Sequence, residues 1–184
     1  MPRRGAVVSI AGIGKREPGS VRDAVPAYVD QLYRFALRLT RNPEGAQDIV
    51  HESVLRALKH ESVVRDPRAW LFQIVYRTFM SHRRKDQRRG ATDENSWPDE
   101  AELESMADPL PSLITAEDVR KAVDNLPEAF RAVVWLSDAE RVRLREIAEI
   151  LDCPLGTVAS RLARGRQELR RLLSAYGPQG VKSP

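Results

Sequence analysis

The stretch LREIAEILDCPLGTVASRLARGRQELRRLL, residues 144–173, decides the fold of this chain. Its first part predicts a short helix, because apolar residues recur three and four positions apart: Leu144, Ile147, Ala148 and Leu151. Asp152-Cys153-Pro154 then breaks the pattern, since proline cannot continue a helix but fits the first turn of the next one. The second part predicts a longer helix with a buried stripe of Val158, Leu162, Leu169 and Leu172.

Arginines lie largely off the buried stripe of this second helix, at positions 161, 164, 166, 170 and 171. Two helices joined by a tight turn form a helix-turn-helix, whose second helix can enter the major groove of DNA. The alternative is a helical hairpin with a solvated basic face. The turn spacing, the arginines and the small residues near the start of the second helix favour DNA binding; those small residues are Gly156, Ala159, Ser160 and Ala163.

Charge is segregated along the chain, although the net charge is only +4. Basic residues cluster between 83 and 89 and again between 141 and 171. Basic faces attract phosphate backbones and speed encounter with nucleic acid. Surface charge that serves solubility is the alternative, but it accounts less well for two clusters separated by an acidic segment.

Residues 91–112 contain no lysine or arginine but carry several acidic residues and three prolines, at 98, 109 and 111. This composition predicts a flexible acidic linker. The polyanion could lie in a groove meant for nucleic acid, or it could be a solvated spacer. The sequence leaves both possibilities open.

Three helices are predicted before the linker, at about residues 26–41, 43–59 and 67–85. Asn42-Pro43 and Asp66-Pro67 predict the starts of the second and third, each with a capping side chain followed by proline. The third helix carries a second apolar set, Phe72, Tyr76 and Met80, on a different side from its buried stripe. Such a helix is either central to its domain or holds a face for a partner.

Two further helices are predicted after the linker, the first capped by Thr115 with Asp118 and ended by Leu126-Pro127. A polar turn is predicted from Ser137 to Arg141. Because no pattern of period two occurs, we predict an all-α fold of two small helical domains. The predicted limits are a disordered extension (1–25), a first domain (26–90), the flexible acidic linker (91–112), a second domain (113–176) and a disordered tail (177–184).

Several functional classes are not supported by the sequence. Cys153 is the only cysteine, so an intrachain disulfide and a cysteine-rich zinc site are excluded. The three histidines have no metal-ligand spacing, and we expect neither a metal nor a cofactor. With no phosphate loop and no nucleophile–base arrangement, we predict that the chain is not an enzyme and has no catalytic residues. No apolar run reaches the ~20 residues that span a membrane and no signal peptide is evident, so we expect a cytoplasmic protein without membrane insertion.

The chain resembles the extracytoplasmic-function (ECF, group IV) sigma factors of bacterial RNA polymerase. The resemblance covers about residues 26–88 and 113–173. YRFALRLTRNPEGAQDIVHESVLRAL (33–58) and DPRAWLFQIVYRTFMSHRRK (66–85) are similar to the two halves of sigma region 2. LPEAFRAVVWL (126–136) and residues 144–169 are similar to sigma region 4, a helix-turn-helix.

This resemblance implies that the chain binds core RNA polymerase, recognises promoter DNA and initiates transcription. The helix at 43–59 would bind the clamp helices of the β′ subunit, and region 4 would meet the β flap. The implied β′ contacts are Asp48, Ile49, Glu52, Leu55 and Arg56. Family members are commonly held inactive by an anti-sigma factor, so a protein of that kind is an expected partner.

The resemblance also implies two DNA-binding surfaces. The third helix and the loop before it would capture a flipped base of the minus-ten element and hold melted strands by stacking and charge. Those residues are Arg65, Arg68, Phe72, Tyr76, Arg77, Arg83, Arg84 and Lys85. The second helix of the helix-turn-helix would read the minus-thirty-five element through Thr157, Ser160, Arg161, Arg164 and Arg166.

Two alternatives compete with a sigma factor. A helix-turn-helix regulator that binds duplex DNA alone explains residues 144–173 but leaves the helices at 43–59 and 67–85 without a task. A sigma-mimicking protein that sequesters an anti-sigma factor would not need the basic recognition helix. A nucleic-acid enzyme is the remotest reading, because the chain shows no metal or nucleophile set.

Overall fold

A computed structural model describes residues 21–59, 64–88 and 114–174. The regular structure of these residues is helical, which confirms the predicted all-α class. The helices are α1 (Val21–Thr40), α2 (Pro43–Leu58), α3 (Pro67–Arg88), α4 (Ala116–Asp124), α5 (Glu128–Val134), α6 (Leu144–Leu151) and α7 (Leu155–Ser174). The expected linker, the tail and residues 1–20 of the expected extension lie outside the described residues.

Side-chain caps set three helix starts, as the sequence predicts. Asn42 Oδ1 accepts a hydrogen bond of 2.9 Å from the backbone N–H of Glu44 at the start of α2. Asp66 Oδ1 accepts one of 3.0 Å from Ala69 N–H at the start of α3. Thr115 and Asp118 form a reciprocal capping box at the start of α4. Each cap satisfies a backbone donor that has no partner inside its helix.

The first helix begins five residues earlier than predicted. Val21 and Val25 are 1% and 8% exposed and belong to the hydrophobic core, so the predicted disordered extension of residues 1–25 is wrong for 21–25. Proline is common at the first position of a helix, but Pro26 lies within α1. Its missing N–H removes only one hydrogen bond near the helix start, and the apolar contacts of Val21 and Val25 offset that loss.

Helix α3 is the centre of the N-terminal bundle. It packs against α1 and α2 on one side and against α6 of the C-terminal segment on the other. Phe72 meets Phe35 of α1 edge-to-face, with ring centroids 5.4 Å apart and planes at 75°. The second apolar side of α3 is therefore covered within this chain, as expected for a helix central to its fold.

The C-terminal segment departs from the predicted pattern at two places. The expected polar turn at 137–141 is replaced in part by a π-helical turn, Trp135–Ala139, which continues α5 because Leu136 is fully buried there. In α6, Leu144 is 37% exposed although it was predicted to face inward, and Ile150 is buried at 1% instead. Because an α-helix has 3.6 residues per turn, an apolar stripe drifts around the eight residues of α6, and the residue at one end can face solvent.

The turn between α6 and α7 has the geometry of a helix-turn-helix. Asp152 adopts a left-handed conformation (φ 51°), which ends α6 and redirects the chain into α7. Aspartate tolerates this conformation better than most residues. Cys153 follows as a half-buried residue, and burial raises the pKa of its thiol above the usual range despite the nearby charge of Arg161.

Candidate nucleic-acid interface

Four of the five candidate residues on α7 share one face of the helix. Thr157, Ser160, Arg161 and Arg164 follow at intervals of three and four residues, and each is exposed or half-buried. The hydroxyl of Ser160 donates a hydrogen bond of 3.1 Å to the backbone oxygen of Thr157. The buried residues Val158 and Leu162 hold this helix on the domain from the opposite side. A face of this kind can lie in a major groove while the helix stays anchored.

Arg166 lies apart from this face and is held by the π-helical turn. Its Nη2 and Nε donate to the two carboxylate oxygens of Asp138 at 2.5 and 3.1 Å. Burial tends to raise the pKa of Asp138, but the hydrogen bond and charge of Arg166 outweigh it and hold that pKa below its usual range. The guanidinium is thus fixed in a bidentate ion pair, and only its remaining N–H groups can reach DNA. The sequence does not show this pairing, because the two residues are far apart in the chain.

The minus-ten candidates on and before α3 fall into two groups. Arg65, Arg77, Arg84 and Lys85 are exposed. The other four are buried or half-buried: Arg68, Phe72, Tyr76 and Arg83.

Phe72 is a correction to the predicted site. Its ring is 0% exposed and packs on Phe35 and beneath the guanidinium of Arg68, whose Cζ lies 5.2 Å from the ring centroid. A base cannot stack on a ring that has no exposed surface. Tyr76 is half-buried, and burial raises the pKa of its phenol. Tyr76 thus remains the aromatic candidate among the predicted residues.

The polymerase-binding candidates on α2 also divide by burial. Asp48, Leu55 and Arg56 are exposed and Glu52 is half-buried, so they present a mixed polar and apolar surface. Ile49 is 3% exposed and packs in the core, which corrects its predicted role as a surface contact.

Sequence reasoning missed Leu58 on the same helix. Leu58 is 38% exposed and Leu55 is 49% exposed, one turn earlier. The position of Leu58 at the last residue of α2 is the signal that it leaves the core. Exposed leucines on one face commonly mark a protein-binding surface.

A hydrogen-bond network fixes the α2 candidates against α3. Glu52 bonds to His82 Nε2 through Oε2 at 2.5 Å and to Arg56 through its other oxygen. Arg56 in turn donates to Thr78 Oγ1 at 3.1 Å. The hydrogen bond from His82 is the main reason that the pKa of Glu52 lies below its usual range; burial opposes it and the charge of Arg56 adds to it.

This network predicts a pH-dependent contribution of Glu52 to stability. A carboxyl whose pKa is lower in the folded chain stabilises the fold above its unfolded value and loses that contribution as the pH falls through the folded value. We expect Glu52→Gln to be less stable than the parent at pH 7, and the gap to close below about pH 4.5. Urea denaturation of both proteins across this range tests the effect; a gap that stays constant with pH would contradict it.

Among residues 21–59, 64–88 and 114–174, no cluster of histidine, cysteine, aspartate and glutamate is arranged to hold a metal ion. Within the same residues, no helix combines the length and the apolar character that crossing a bilayer requires.

Two family profiles match the chain in the expected order. Residues 24–89 match Sigma-70 region 2, and residues 116–169 match Sigma-70, region 4. The first match contains most of α1 and all of α2 and α3, and the second contains α4 to α6 and most of α7. The two matched segments are those that carry the candidate residues described above.

Known proteins that are similar to this chain are also named sigma factors. The ECF RNA polymerase sigma factor SigE of Mycolicibacterium smegmatis is 32% identical over 168 residues, which cover 88% of this chain but 64% of SigE. The ECF sigma factor SigL of Mycobacterium tuberculosis is 31% identical over 91% of this chain and 97% of SigL. The sigma factor RpoE of Bartonella quintana, solved in complex with the anti-sigma factor NepR, matches with a TM-score of 0.63 and 26% identity over 83% of this chain and 95% of RpoE. This chain therefore belongs to the ECF sigma factors of RNA polymerase.

Proposed function

We propose that this chain binds core RNA polymerase, directs it to promoters with defined minus-ten and minus-thirty-five elements, and helps to open the DNA. The observation that carries the proposal is the pair of matches to Sigma-70 regions 2 and 4, on the segments that contain the exposed candidate side chains. It acts by binding and not by catalysis. Because core polymerase works in the cytoplasm, we place the chain there too.

The exposed face of α2 is the proposed contact for the β′ clamp helices. Asp48, Leu55 and Arg56 offer two opposite charges around an exposed leucine, and Leu58 extends the apolar part. Interfaces of this kind combine an apolar centre with a polar rim. The network from Glu52 to His82 supports the face by holding its charged side chains in place.

Single-stranded minus-ten DNA is the proposed ligand of α3. Arg77, Arg84 and Lys85 supply exposed positive charge along the helix, and Tyr76 supplies an aromatic ring. Stacking on one aromatic ring and charge contacts along the backbone are the usual means of holding unpaired bases. Arg65 extends the charge to the loop before the helix.

The exposed face of α7 is the proposed reader of the minus-thirty-five element, through Thr157, Ser160, Arg161 and Arg164. The C-terminal domain that carries this face is proposed to span residues 113–176. Region 4 would also meet the β flap. Control by an anti-sigma factor is supported by the similarity to RpoE, which was solved with NepR.

Transcription with purified core polymerase tests the proposal. The full chain should yield transcripts that start at defined sites, and mapping those starts after controlled expression should reveal a shared promoter motif. Core polymerase alone is the control. A helix-turn-helix regulator that acts alone would bind duplex DNA but give no promoter-specific transcript with core enzyme.

Arg164→Ala is expected to weaken minus-thirty-five recognition. One bidentate arginine–guanine contact discriminates by about 1–3 kcal/mol, so promoter affinity of the holoenzyme should fall roughly 5- to 150-fold. Arg170→Ala is the matched control, because Arg170 is an exposed arginine on α7 outside the proposed face. Filter binding or anisotropy with a promoter fragment measures both. Equal losses in the two variants would contradict base recognition and indicate non-specific charge.

A further inference from the structure

The N-terminal bundle (α1 to α3) and the C-terminal segment (residues 114–174) meet through polar contacts in which the bundle supplies the donors and the segment supplies the acceptors. Arginines of the bundle reach carboxylates of the C-terminal segment in four pairs: Arg38 with Asp124 at 2.6 Å, Arg68 and Arg34 with Glu140 at 3.1 and 3.9 Å, and Arg83 with Glu128 at 2.5 Å. Gln73 of α3 also donates to the backbone oxygen of Glu149 at 2.7 Å. In each of these contacts, the donor lies on α1 or α3 and the acceptor lies in residues 124–149.

Arg68 is buried where α3 meets the C-terminal segment. Only 8% of it is exposed. Its Nη2 donates to the backbone and side-chain oxygens of Glu140 at 2.7 and 3.1 Å, and its Nε donates to Gln31 at 2.8 Å. The guanidinium is therefore held by the C-terminal segment on one side and by α1 on the other. Those N–H groups are the ones that a phosphate or a base edge would need.

A second contact lies at the end of α4. Arg38 stacks over the ring of Trp135, with Cζ 5.4 Å from the centroid, while its Nη1 bonds to Asp124. Arg131 and Arg41 donate to the backbone oxygen of Asp124 at 2.8 and 3.4 Å. Burial, and then the charge of Arg41, lower the pKa of Arg131 to about 10, so it stays protonated at neutral pH. Cations at the C-terminal end of a helix are favourable, and here the bundle supplies two of the three.

The contact between α3 and the C-terminal segment also involves the region of Tyr76, the proposed aromatic residue for single-stranded DNA. Burial is the main cause of its raised pKa, and the charges that act on it include Glu128, Arg161 and Cys153. These three residues belong to α5 and to the helix-turn-helix. Helix α6 packs against α3, and Arg68, Gln73 and Arg83 of α3 all contact residues within 128–149. The C-terminal segment therefore lies along the part of α3 that contains Tyr76.

We propose that the C-terminal domain blocks the minus-ten surface in the free chain, with Glu140 and Glu128 occupying the arginines that otherwise bind promoter DNA. This inference rests on the proposed function and adds an inhibitory contact made by the chain itself. The exposed face of α2 has no part in these contacts, so core polymerase can bind the closed chain. Opening then exposes α3, and single-stranded DNA and the C-terminal domain compete for the same arginines.

Competition between DNA and the C-terminal domain determines how much a variant should change the affinity for DNA. A ligand that binds only the open form has its affinity reduced by the fraction of open chains. Variants that weaken closure therefore tighten DNA binding without any new contact to DNA. Coupling between two sites of this kind usually lies between about 5- and 150-fold.

The test uses the full chain with Glu128→Gln and Glu140→Gln together. Neither residue belongs to a proposed DNA or polymerase contact. Glu117→Gln is the matched control, because Glu117 pairs only with Arg120 and Lys121 of its own helix among the ion pairs found. Trp70→Phe and Trp97→Phe in every protein leave Trp135 as the single tryptophan, so acrylamide quenching of its fluorescence reports loss of the Arg38 contact.

The second measurement is the affinity for a single-stranded oligonucleotide that carries the mapped minus-ten sequence. The double variant should show stronger quenching and bind the oligonucleotide about fivefold tighter or more, while Glu117→Gln should match the parent in both. Unchanged quenching would contradict the closed conformation. Increased quenching with unchanged affinity for the oligonucleotide would contradict inhibition of DNA binding by the C-terminal domain. If the parent and the variants all fail to give promoter-specific transcripts with core polymerase, the proposed function itself fails; failure of this inference alone leaves those transcripts intact.

Discussion

Phe72→Ala is expected to lower the free energy of unfolding by about 3–5 kcal/mol, the usual cost of removing a phenylalanine from a packed core. The ring of Phe72 is fully buried between Phe35 and Arg68, and few rearrangements can fill the space that it leaves. The resemblance to sigma factors implied that Phe72 is among the residues that stack on melted DNA. The two roles predict different results: a core residue carries stability, whereas an exposed stacking residue carries DNA binding.

Urea denaturation followed by circular dichroism measures the effect. Arg77→Ala is the control, since Arg77 is an exposed neighbour on α3 and its loss should change stability by less than about 0.5 kcal/mol. Phe72→Leu should fall between the two, because leucine keeps much of the buried apolar volume. If Phe72→Ala were as stable as the parent but failed to hold single-stranded DNA, the assignment of Phe72 to the core would be wrong.

Gly165→Ala is expected to destabilise the C-terminal domain by about 1–3 kcal/mol, the usual penalty for overpacking. A Cβ at this position would lie 2.7 Å from Val134 Cγ2 and 3.2 Å from Phe130 Cβ, both on α5. Those neighbours are buried, so α7 must move away from α5. Since α7 carries the proposed minus-thirty-five contacts, promoter affinity should fall together with stability.

Gly156→Ala is the matched control on the same helix. A Cβ at Gly156 meets nothing within 4 Å, and alanine favours a helix over glycine by up to about 1 kcal/mol. The two substitutions should therefore shift the thermal midpoint in opposite directions. A similar gain in both would show that α5 and α7 do not pack as closely as described.

Local chemistry was enough to predict most helix starts and the helix-turn-helix. The caps at Asn42, Asp66 and Thr115 act within three residues of the chain, so their effect can be deduced from the sequence itself. The break at Asp152-Cys153-Pro154 is local in the same way. The start of α1 was missed, because the burial of Val21 depends on the bundle and not on its neighbours in sequence.

Candidate site residues were harder to predict, since a helical pattern does not say which polar side chains face a partner. Arg68 and Arg77 look alike in the sequence, yet one is bound to Glu140 and the other is exposed. Arg166 and Arg164 are two residues apart, and only the fold brings Asp138 to Arg166. In each case the deciding partner is distant in the chain.

The amino-acid sequence by itself determined the all-helical class and the chemical character of the α7 face, because helical period, caps and side-chain charge act over a few residues. The order of the two sigma regions followed from the resemblance of the sequence to a known family. Only the tertiary structure decided that Phe72 and Ile49 are core residues and that the C-terminal acids lie on the arginines of α1 and α3. The physical reason is that burial and ion pairing depend on which elements pack together. A short stretch of sequence contains no information about a surface that another element will cover.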